Sequence, residues 1–509
     1  RHRRAPAYRP LVLIRDASLA QVAAVAARSL ELPGIFVQEL PIRFYPANEV
    51  AAHLFGYVGE VSDVELEMPE FSAVRSGMVV GKSGIERTYN RLLMGEDGVR
   101  RVVVDSVGRE IETIGEQAPI EGRQLQLTLD YDLQKAGEDA FRAGGFNGAA
   151  VVLDPHSGEV LALVSRPSYD PNLFAQGIDA DAWNTLSLDV HRPLSNRALR
   201  GRYSPGSTFK IAMAVAALEE GIVTPDFRVP CGGGSTFYGR FYRCHTTHGT
   251  VDMREALEKS CNTYFYALGE KLQIDQIHKW ASALGLGELT GVDLPHEVLS
   301  LMPSAAWKRE RLGEPWYPGE TISVAIGQGP VAVTPISLAV MMATVANGGT
   351  RVTPHLLKAV GEGGGFVPVA RPVPKSRVVL DPVTLDTVTD GLWDVVNRAG
   401  TGRRGRIPGR DVMGKTGTAQ VISLQGRLAA GDTARDFRDH GWFVFAVPAG
   451  APELAGVVFG EHNEHGYLSA SIAKHIMETY FAKQEGRPRP VLVEPEQPNL
   501  GASVEAANQ

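Results

Sequence analysis

The segment YSPGSTFKIAMAVAALEEG, residues Tyr203–Gly221, predicts an apolar helix that opens with a serine and a lysine three residues apart. Its alanine-rich body is typical of a buried helix, and Gly221 is the expected end of that helix. A charged lysine is disfavoured in the first turn, because the positive end of the helix dipole lies there. Ser207 and Lys210 would share one helix face, so an uncharged Lys210 could take the proton of the Ser207 hydroxyl. The segment therefore indicates a nucleophile with its base.

Two further short motifs follow this segment, S-x-N and then K-T-G. Ser260 and Asn262 form S-x-N, and K-T-G spans residues 415–417. S-x-x-K alone arises by chance about once in a chain of this composition, and each motif alone is compatible with a helix cap or a solvated lysine. The ordered set of three is a strong signal for acyl transfer through an acyl-serine intermediate. In that chemistry Ser260 and Asn262 would relay a proton and hold a substrate amide.

The strand around K-T-G is expected to form the other side of the site. Lys415 would be a second cation that lowers the pKa of the lysine base, if its strand lies beside the helix. The backbone amides of Ser207 and Thr418 are the predicted oxyanion hole. Lys415 is thus grouped with the catalytic residues. Thr416, Gly417 and Thr418 are the predicted substrate-binding residues, which would bind a carboxylate at the end of a peptide.

The order of strand and helix signals predicts an α+β fold, with an antiparallel sheet covered by helices on both faces. A hairpin is indicated by GAAVVLD and EVLALVS on either side of a turn. Three later strands are predicted for DVMGKTGTAQV, HGWFVFAV and LAGVVFGE. Besides the helix of Ser207, helices are predicted for REALEKSCNTYFYALGEKL, ISLAVMMATVANGG and SASIAKHIMETYFA. On a continuous helix Cys261 would point about 100° away from Ser260 and Asn262.

Composition divides the chain into three regions. Residues 1–122 mix short apolar runs with glycine turns, residues 123–484 carry long periodic segments, and residues 485–509 are rich in Pro and Glu, which predicts a disordered tail. With 44% hydrophobic and 21% charged residues, the chain can bury sizeable cores. A net charge of −7 gives no electrostatic footprint for nucleic acid. No apolar run reaches about 18 residues, so no transmembrane helix is predicted.

These motifs and their surroundings resemble those of the class B penicillin-binding proteins, which are peptidoglycan D,D-transpeptidases. The resemblance lies in GRYSPGSTFK, ALEKSCNTYFY, AIGQGPVAVTP and GKTGTAQV, and in PIRFYPANEVAAHLFGYVGE and VGKSGIERTYN of the first region. Within this family the chain is most similar to penicillin-binding protein 2 of cell elongation. The resemblance implies a transpeptidase domain with a five-stranded antiparallel sheet over residues 123–484, and an N-terminally truncated, dimerisation-like pedestal over residues 1–122. Gly327-Gln328-Gly329 matches a family segment near the active site.

The resemblance also implies a substrate, partners and a location. Ser207 would attack the D-Ala-D-Ala end of a stem peptide, and an amine of a neighbouring stem would take the acyl group. β-Lactams would acylate the same serine, and no cofactor is required for catalysis. The implied partner is a SEDS-type glycosyltransferase of the RodA kind, within the elongation complex that maintains rod shape. The implied location is the outer side of the bacterial cytoplasmic membrane, with a single-pass anchor that is absent from this sequence.

Three other functions compete with transpeptidation. A β-lactamase would need a group that activates a deacylating water, and the sequence offers no convincing glutamate for it. A penicillin-binding sensor or scaffold would keep the site without turnover, but the motif set is intact and no signalling module is present. A D,D-carboxypeptidase, in which water replaces the acceptor amine, stays open.

The three cysteines of the chain and one histidine form the pattern C-x12-C-x3-H-x12-C. Cys231, Cys244, His248 and Cys261 would make a Cys3His set, an accepted tetrahedral zinc site with longer gaps than common zinc fingers, and His245 is a competing ligand. Some members of the family carry zinc at the corresponding place, where aspartates stand in the positions of Cys231 and Cys244. The alternatives are a Cys231–Cys244 disulfide with Cys261 as a buried thiol, or three free cysteines. A zinc ion would be structural and would brace the S-x-N helix.

Overall fold

The structure, a computed structural model, describes residues 12–492 apart from residues 15, 33, 36, 40, 107–109 and 422–437. Its α-helices are α1 Leu19–Ala27, α2 Ala52–Phe55, α3 Asp63–Leu66, α4 Gly84–Thr88, α5 Asn90–Leu93, α6 Tyr131–Gly144, α7 Asn172–Ala175, α8 Ala180–Leu188, α9 Arg197–Arg200, α10 Lys210–Glu219, α11 Met253–Glu258, α12 Asn262–Lys271, α13 Ile274–Ala283, α14 Ala305–Leu312, α15 Pro318–Val324, α16 Pro335–Ala346, α17 Pro382–Asn397 and α18 Gly466–Gln484. Short 3₁₀ helices span Pro69–Phe71, Gly206–Phe209 and Arg403–Gly405.

The strands of the described residues are β1 Val58–Glu60, β2 Val79–Gly81, β3 Val99–Val104, β4 Glu110–Gln117, β5 Leu125–Leu127, β6 Asn147–Leu153, β7 Val160–Arg166, β8 Val229–Cys231, β9 Gly234–Phe237, β10 Arg240–Arg243, β11 Gly249–Val251, β12 Thr350–Arg351, β13 Leu357–Glu362, β14 Gly365–Pro368, β15 Ser376–Arg377, β16 Met413–Ala419, β17 His440–Val447 and β18 Leu454–Glu461.

A five-stranded antiparallel sheet lies at the centre of the fold, in the order β16-β17-β18-β6-β7. The predicted hairpin of β6 and β7 is present, and the three late strands pair beside it. Lys415 opposes Val444 and Thr418 opposes Gly441, so the K-T-G motif runs along β16. β16 is one of the two edge strands of this sheet, and an edge strand is the kind of strand to which an extended peptide can add.

Alternate residues of these strands point to opposite faces of the sheet, and both faces are apolar. Val151, Val444 and Phe459 lie on one face, in the core that contains α10 and α16. Val152 and Phe443 lie on the other face, which packs against α6 and α18. All five side chains are fully buried, and each such burial stabilises the fold by about 1.5–3 kcal/mol. The predicted arrangement of helices on both faces is confirmed.

The S-x-N segment differs from the predicted continuous helix. α11 ends two residues before Ser260, and α12 begins two residues after it. Ser260 has a φ of 53°, in the left-handed region. Its N–H donates to Leu257 O at 3.2 Å and the Cys261 N–H donates to Ala256 O at 2.9 Å, which is the Schellman pattern that ends a helix. The expected 100° offset of Cys261 on one helix is therefore wrong, because Cys261 is the N-cap residue of a second helix.

The first region of the chain packs against helices α6 and α7 through the segment that precedes α2. Tyr45 N–H donates to Asn172 Oδ1 and the Asn172 amide donates to Tyr45 O, both at 2.9 Å. Ala51 N–H donates to the buried Glu138 Oε1 at 2.8 Å. Leu54 belongs to the same apolar core as α10. The predicted domain boundary at residue 122 stays a prediction, and the apolar core extends across it.

The predicted tail begins directly after α18. Arg489 pairs with Asp132 of α6, and Leu492 packs against the core of the second sheet face. Residues 493–509, most of the predicted tail, lie outside the described residues. None of the helices in the described part of the chain combines the length and the apolar character needed to cross a membrane.

Candidate active site

Ser207 lies in the 3₁₀ turn Gly206–Phe209, and α10 begins directly after that turn. The helix predicted to open at Ser207 thus begins three residues later. Gly206 has a φ of 54°, and a Cβ atom there would clash with Thr418 O, so only glycine fits. The Gly206 N–H donates to Gly327 O at 3.0 Å. These contacts hold the turn between the K-T-G strand and the Gly327 segment.

Lys210 is fully buried behind the turn and is held by the S-x-N motif. Its Nζ donates to Ser260 O at 2.7 Å, to Asn262 Oδ1 at 2.7 Å and to Ser260 Oγ at 3.2 Å. Burial lowers the pKa of Lys210 to about 7, because the charged amine loses its hydration. Among the hydrogen bonds of the described residues, none joins the Lys210 and Ser207 side chains, whereas the sequence predicted a direct contact. The S-x-N motif is therefore the immediate partner of Lys210.

Lys415 is a second buried lysine at this site. Its side chain is fully buried, and its Nζ donates to Thr416 O at 3.2 Å. Burial, and then the charge of Lys210, lowers the pKa of Lys415 well below its usual range. Two buried amines that repel each other favour a state in which at least one is neutral. The structure thus brings Lys415 near Lys210, but burial and not Lys415 lowers the pKa of Lys210, which differs from the role predicted for Lys415.

The residues Thr416, Gly417 and Thr418 lie along β16 against the nucleophile turn. A Cβ atom on Gly417 would lie only 2.8 Å from Pro205 O, so the strand and turn backbones are in contact. Thr418 is exposed whereas Thr416 is only 8% exposed, so Thr418 is the accessible residue of this part of the strand. The amides of Ser207 and Thr418 come from these two contacting backbones, which is the arrangement that an oxyanion hole needs.

Three residues without a predicted role contact the site. The Gln328 side-chain amide donates to Thr418 O at 3.4 Å. The Thr401 and Thr416 hydroxyls form a hydrogen bond of 2.5 Å. Trp442 Nε1 donates at 3.0 Å to the backbone carbonyl three residues before the nucleophile. The family segment around Gln328 was a usable sequence signal, whereas Thr401 and Trp442 belong to no motif.

The predicted zinc ligands converge behind the S-x-N motif, and their ligand atoms all lie within 4.8 Å of one another. They are Cys231, Cys244, His248 and Cys261. His248 Nδ1 is 3.5 Å from Cys231 Sγ and from Cys244 Sγ. Zn–S bonds of about 2.3 Å place the sulfurs of a tetrahedral site about 3.8 Å apart, so this donor set fits zinc in spacing and chemistry. All three cysteines are free thiols, so the structure has no Cys231–Cys244 disulfide. The competing ligand His245 lies outside the group, with its Nδ1 3.9 Å from Cys244 Sγ.

The cysteines also hold the first turn of α12. The Asn262 N–H donates to Cys244 Sγ at 3.2 Å, and the Cys231 thiol donates to the Thr263 hydroxyl at 3.3 Å. Cys261 makes no side-chain cap of its own. A hydrogen bond from the Cys261 thiol lowers the pKa of Cys244. The cysteine group and the S-x-N motif are thus parts of one hydrogen-bonded unit.

The fold is a sheet between two helical layers, and at its edge S-x-x-K, S-x-N and K-T-G meet. These features together define the class of penicillin-recognising serine transpeptidases. A family model described as the penicillin binding protein transpeptidase domain matches residues 148–478, and one described as the penicillin-binding protein dimerisation domain matches residues 2–127. The chain belongs to the penicillin-binding protein transpeptidase family.

Individual relatives narrow the comparison to penicillin-binding protein 2. The peptidoglycan D,D-transpeptidase MrdA of Acinetobacter baumannii is 37% identical over 466 residues, which cover 90% of this chain and 69% of the relative. A crystal structure of Pseudomonas aeruginosa penicillin-binding protein 2 is similar with a TM-score of 0.74 and 38% identity, over 90% of this chain and 96% of that one. A complex of Helicobacter pylori penicillin-binding protein 2 with MreC is similar with a TM-score of 0.79 and 30% identity, over 92% of this chain and 84% of that one.

These comparisons confirm the main predictions from the sequence. The chain is a class B penicillin-binding protein similar to penicillin-binding protein 2, with the predicted α+β fold. Its activity is that of a serine-type peptidoglycan D,D-transpeptidase in cell-wall synthesis.

Proposed function

We propose that Ser207 is the nucleophile of this peptidoglycan D,D-transpeptidase and that neutral Lys210 is its base. One observation supports this assignment most directly: Lys210 is fully buried directly behind the nucleophile turn, with a pKa lowered to about 7 by that burial. Near neutral pH a large fraction of such an amine is unprotonated and can accept a proton. Ser260 Oγ lies 3.2 Å from Lys210 Nζ and can relay the proton of the Ser207 hydroxyl.

The acylation step follows from these positions. Ser207 Oγ attacks the carbonyl carbon of the penultimate D-Ala, and a C–O bond forms as the hydroxyl proton moves to Lys210. The amides of Ser207 and Thr418 stabilise the negative charge on the carbonyl oxygen, and one such donor lowers the barrier by about 3 kcal/mol. The proton then passes through Ser260 to the nitrogen of the leaving D-Ala, and the C–N bond breaks. The acyl-serine remains.

The acyl group then passes to an amine of a neighbouring stem peptide. Lys210, neutral again, accepts the proton of the attacking amine as the new C–N bond forms. The Ser207 ester bond then breaks, and Lys210 returns the proton to Ser207 Oγ. The donor lies along the open side of β16 as an additional strand, and Asn262 holds one of its amides. Lys415, with Thr416 and its neighbours on β16, binds the terminal carboxylate of the donor. A β-lactam carries the same carbonyl and carboxylate, so it acylates the same serine. Similarity to penicillin-binding protein 2 supports a place in cell elongation and rod-shape maintenance.

The assignment is tested by locating a penicillin adduct. The protein is labelled with a fluorescent penicillin, digested and analysed by mass spectrometry. We expect one stable adduct on the peptide that contains Ser207, and no labelling of Ser207→Ala. Ser204→Ala is the matched control and should label normally, because the Ser204 hydroxyl donates to Val331 O at 3.3 Å outside the proton path. An adduct on another residue, or labelling of Ser207→Ala, would refute the assignment.

Product analysis and the stability of the penicillin label distinguish the competing functions. A transpeptidase incubated with a D-Ala-D-Ala donor and an amine acceptor should yield the cross-linked peptide, whereas a D,D-carboxypeptidase would yield the hydrolysed donor alone. Rapid loss of the penicillin label would indicate a β-lactamase. Absence of any label would indicate a sensor or scaffold that does not use the serine.

We also propose that Cys231, Cys244, His248 and Cys261 bind one structural zinc ion. A bound zinc would cross-link the β8–β11 region to the start of α12, and so brace the S-x-N motif behind Lys210. Catalysis itself requires no cofactor. Metal analysis of protein purified without added metal should give about one zinc per chain, and His248→Ala should lower that ratio and the melting temperature. A zinc ratio near zero with thiols that do not react with Ellman's reagent would contradict the site and indicate a disulfide.

We propose that the chain works on the outer side of the cytoplasmic membrane beside a SEDS-type glycosyltransferase of the RodA kind. The complex of Helicobacter pylori penicillin-binding protein 2 with MreC supports a role for partner proteins. Co-expression with the RodA-like protein of the same organism should yield a stable complex and faster glycan polymerisation. Protease treatment of intact spheroplasts should degrade this region. Protection from the protease, or no effect on polymerisation, would refute the proposal.

A further inference from the structure

The cysteine group includes a residue of the S-x-N motif itself. Cys261 is the middle residue of that motif, and Cys244 Sγ accepts the N–H of Asn262 at 3.2 Å. The Cys261 sulfur lies within 4.8 Å of the Cys244 sulfur, so the two side chains are neighbours in the cysteine group. Both residues are buried free thiols. Cys231 contacts the same helix through the Thr263 hydroxyl rather than through the motif.

The two neighbours of Cys261 provide every side-chain and backbone acceptor described for Lys210. Ser260 contributes its carbonyl and hydroxyl, and Asn262 contributes its Oδ1, at 2.7–3.2 Å from Nζ. Ser260 holds its left-handed φ of 53° only through the surrounding contacts, because that conformation is strained for a serine. A displacement of Cys261 therefore moves both partners of the lysine at once.

We propose that Cys244 and Cys261 are an oxidation-sensitive pair, and that their disulfide stops acylation of Ser207 by drawing the S-x-N motif away from Lys210. This inference rests on the proposed roles of Ser207 and Lys210. An S–S bond of about 2.05 Å is much shorter than any non-bonded contact of two sulfur atoms, so the two chains must approach each other. Cys244 can then no longer accept the Asn262 N–H in its present position.

The oxidation is a balanced two-electron step. In the metal-free protein the two S–H bonds break and the S–S bond forms, and two electrons and two protons pass to a hydroperoxide or a diazene. A hydroperoxide is cleaved at its O–O bond to an alcohol and water, and a diazene is reduced to a hydrazine. If zinc were bound, Cys244 and Cys261 would be thiolates that hold it, their oxidation would remove two of its ligands, and water would supply the two protons that the oxidant needs. A reducing thiol reverses the step by thiol–disulfide exchange.

The test uses the whole chain and the diazene oxidant diamide. Three quantities are measured before oxidation, after oxidation, and after reduction with zinc added. They are the number of free thiols, the zinc released to a chromophoric chelator, and the second-order rate constant of acylation by a fluorescent penicillin. The three free thiols should fall to one, and the acylation rate constant should fall at least about tenfold, with both recovering on reduction. Circular dichroism should stay close to that of the reduced protein. Unchanged thiols, an unchanged rate or loss of the fold would each overturn the proposal.

Two aspartate variants provide a matched pair, and each is compared only with itself before and after diamide. Cys244→Asp keeps a hydrogen-bond acceptor and a metal ligand but cannot form the disulfide. Its acylation rate constant after diamide should therefore stay near the value before diamide. Cys231→Asp keeps Cys244 and Cys261, so its acylation rate constant should fall on diamide treatment as that of the wild type does. Loss of rate in Cys244→Asp, or protection in Cys231→Asp, would overturn the assigned pair. If the reduced wild type is not acylated at Ser207, the proposed function fails; if it is acylated there and insensitive to diamide, only this inference fails.

Discussion

The rate of acylation at Ser207 should follow the titration of Lys210. Burial lowers the pKa of Lys210 from 10.5 to about 7, which corresponds to about 5 kcal/mol in favour of the neutral amine. At pH 7 about half of the lysine is then neutral, against about 0.03% at its ordinary pKa. Below pH 7 the acylation rate constant should fall about tenfold per pH unit, and above pH 8 it should be constant. Stopped-flow acylation by a chromogenic cephalosporin from pH 5 to pH 9 measures this profile.

The matched variant for this experiment is Lys210→Arg. Arginine keeps the positive charge and the hydrogen-bond donors toward Ser260 and Asn262, but its guanidinium does not lose a proton at any pH of the assay. We expect acylation to fall by about a thousandfold at every pH, with no inflection. A flat wild-type profile between pH 5 and pH 9, or a midpoint near pH 10, would refute the role of a neutral Lys210. A Lys210→Arg variant that is acylated at the wild-type rate would also refute that role.

Three further outcomes are expected. Gly206→Ala places a Cβ atom against Thr418 O at a φ of 54°, so denaturant unfolding should show a loss of about 1–3 kcal/mol and penicillin labelling should fall; unchanged values for both would contradict the close backbone contact. Trp442→Phe removes the N–H that binds Ser204 O, so the free energy of unfolding should fall by about 1–3 kcal/mol, and an unchanged unfolding curve would contradict that bond. Asp394→Asn removes a carboxylate, 1% exposed, that two arginines share, and should cost about 3 kcal/mol in the same assay. An equally stable variant would show that this ion pair carries no net stability.

The residues that meet at the site were predictable because their signals are local. The three motifs mark Ser207, Lys210 and Lys415, and the continuous apolar runs in HGWFVFAV and LAGVVFGE indicate the two strands that follow the K-T-G strand in the sheet. The spacing of the cysteines identified the four residues whose ligand atoms converge. Family resemblance then supplied the number of strands in the sheet and the expected substrate.

The form of the S-x-N motif was not predictable, because it depends on contacts between distant segments. The stretch from Glu255 to Phe265 contains neither glycine nor proline, so it has no strong helix breaker that would mark the break at Ser260. The break at Ser260 leaves a carbonyl that binds Lys210 and an N–H at Asn262 that binds a sulfur from another strand region. No pattern within the segment reports either partner. The same holds for Thr401 and Trp442, whose roles come only from tertiary packing.

The close backbone contact around the nucleophile turn restricts the routes by which drug resistance can arise. Gly206, Gly327 and Gly417 all lie where a Cβ atom would meet backbone atoms of a neighbouring segment. Substitutions at these positions would shift the oxyanion hole for the natural donor as much as for a β-lactam. Selection by antibiotics is therefore expected to act on residues around the cleft, such as those near Gln328 and Thr401, where a side chain can change while the glycines stay.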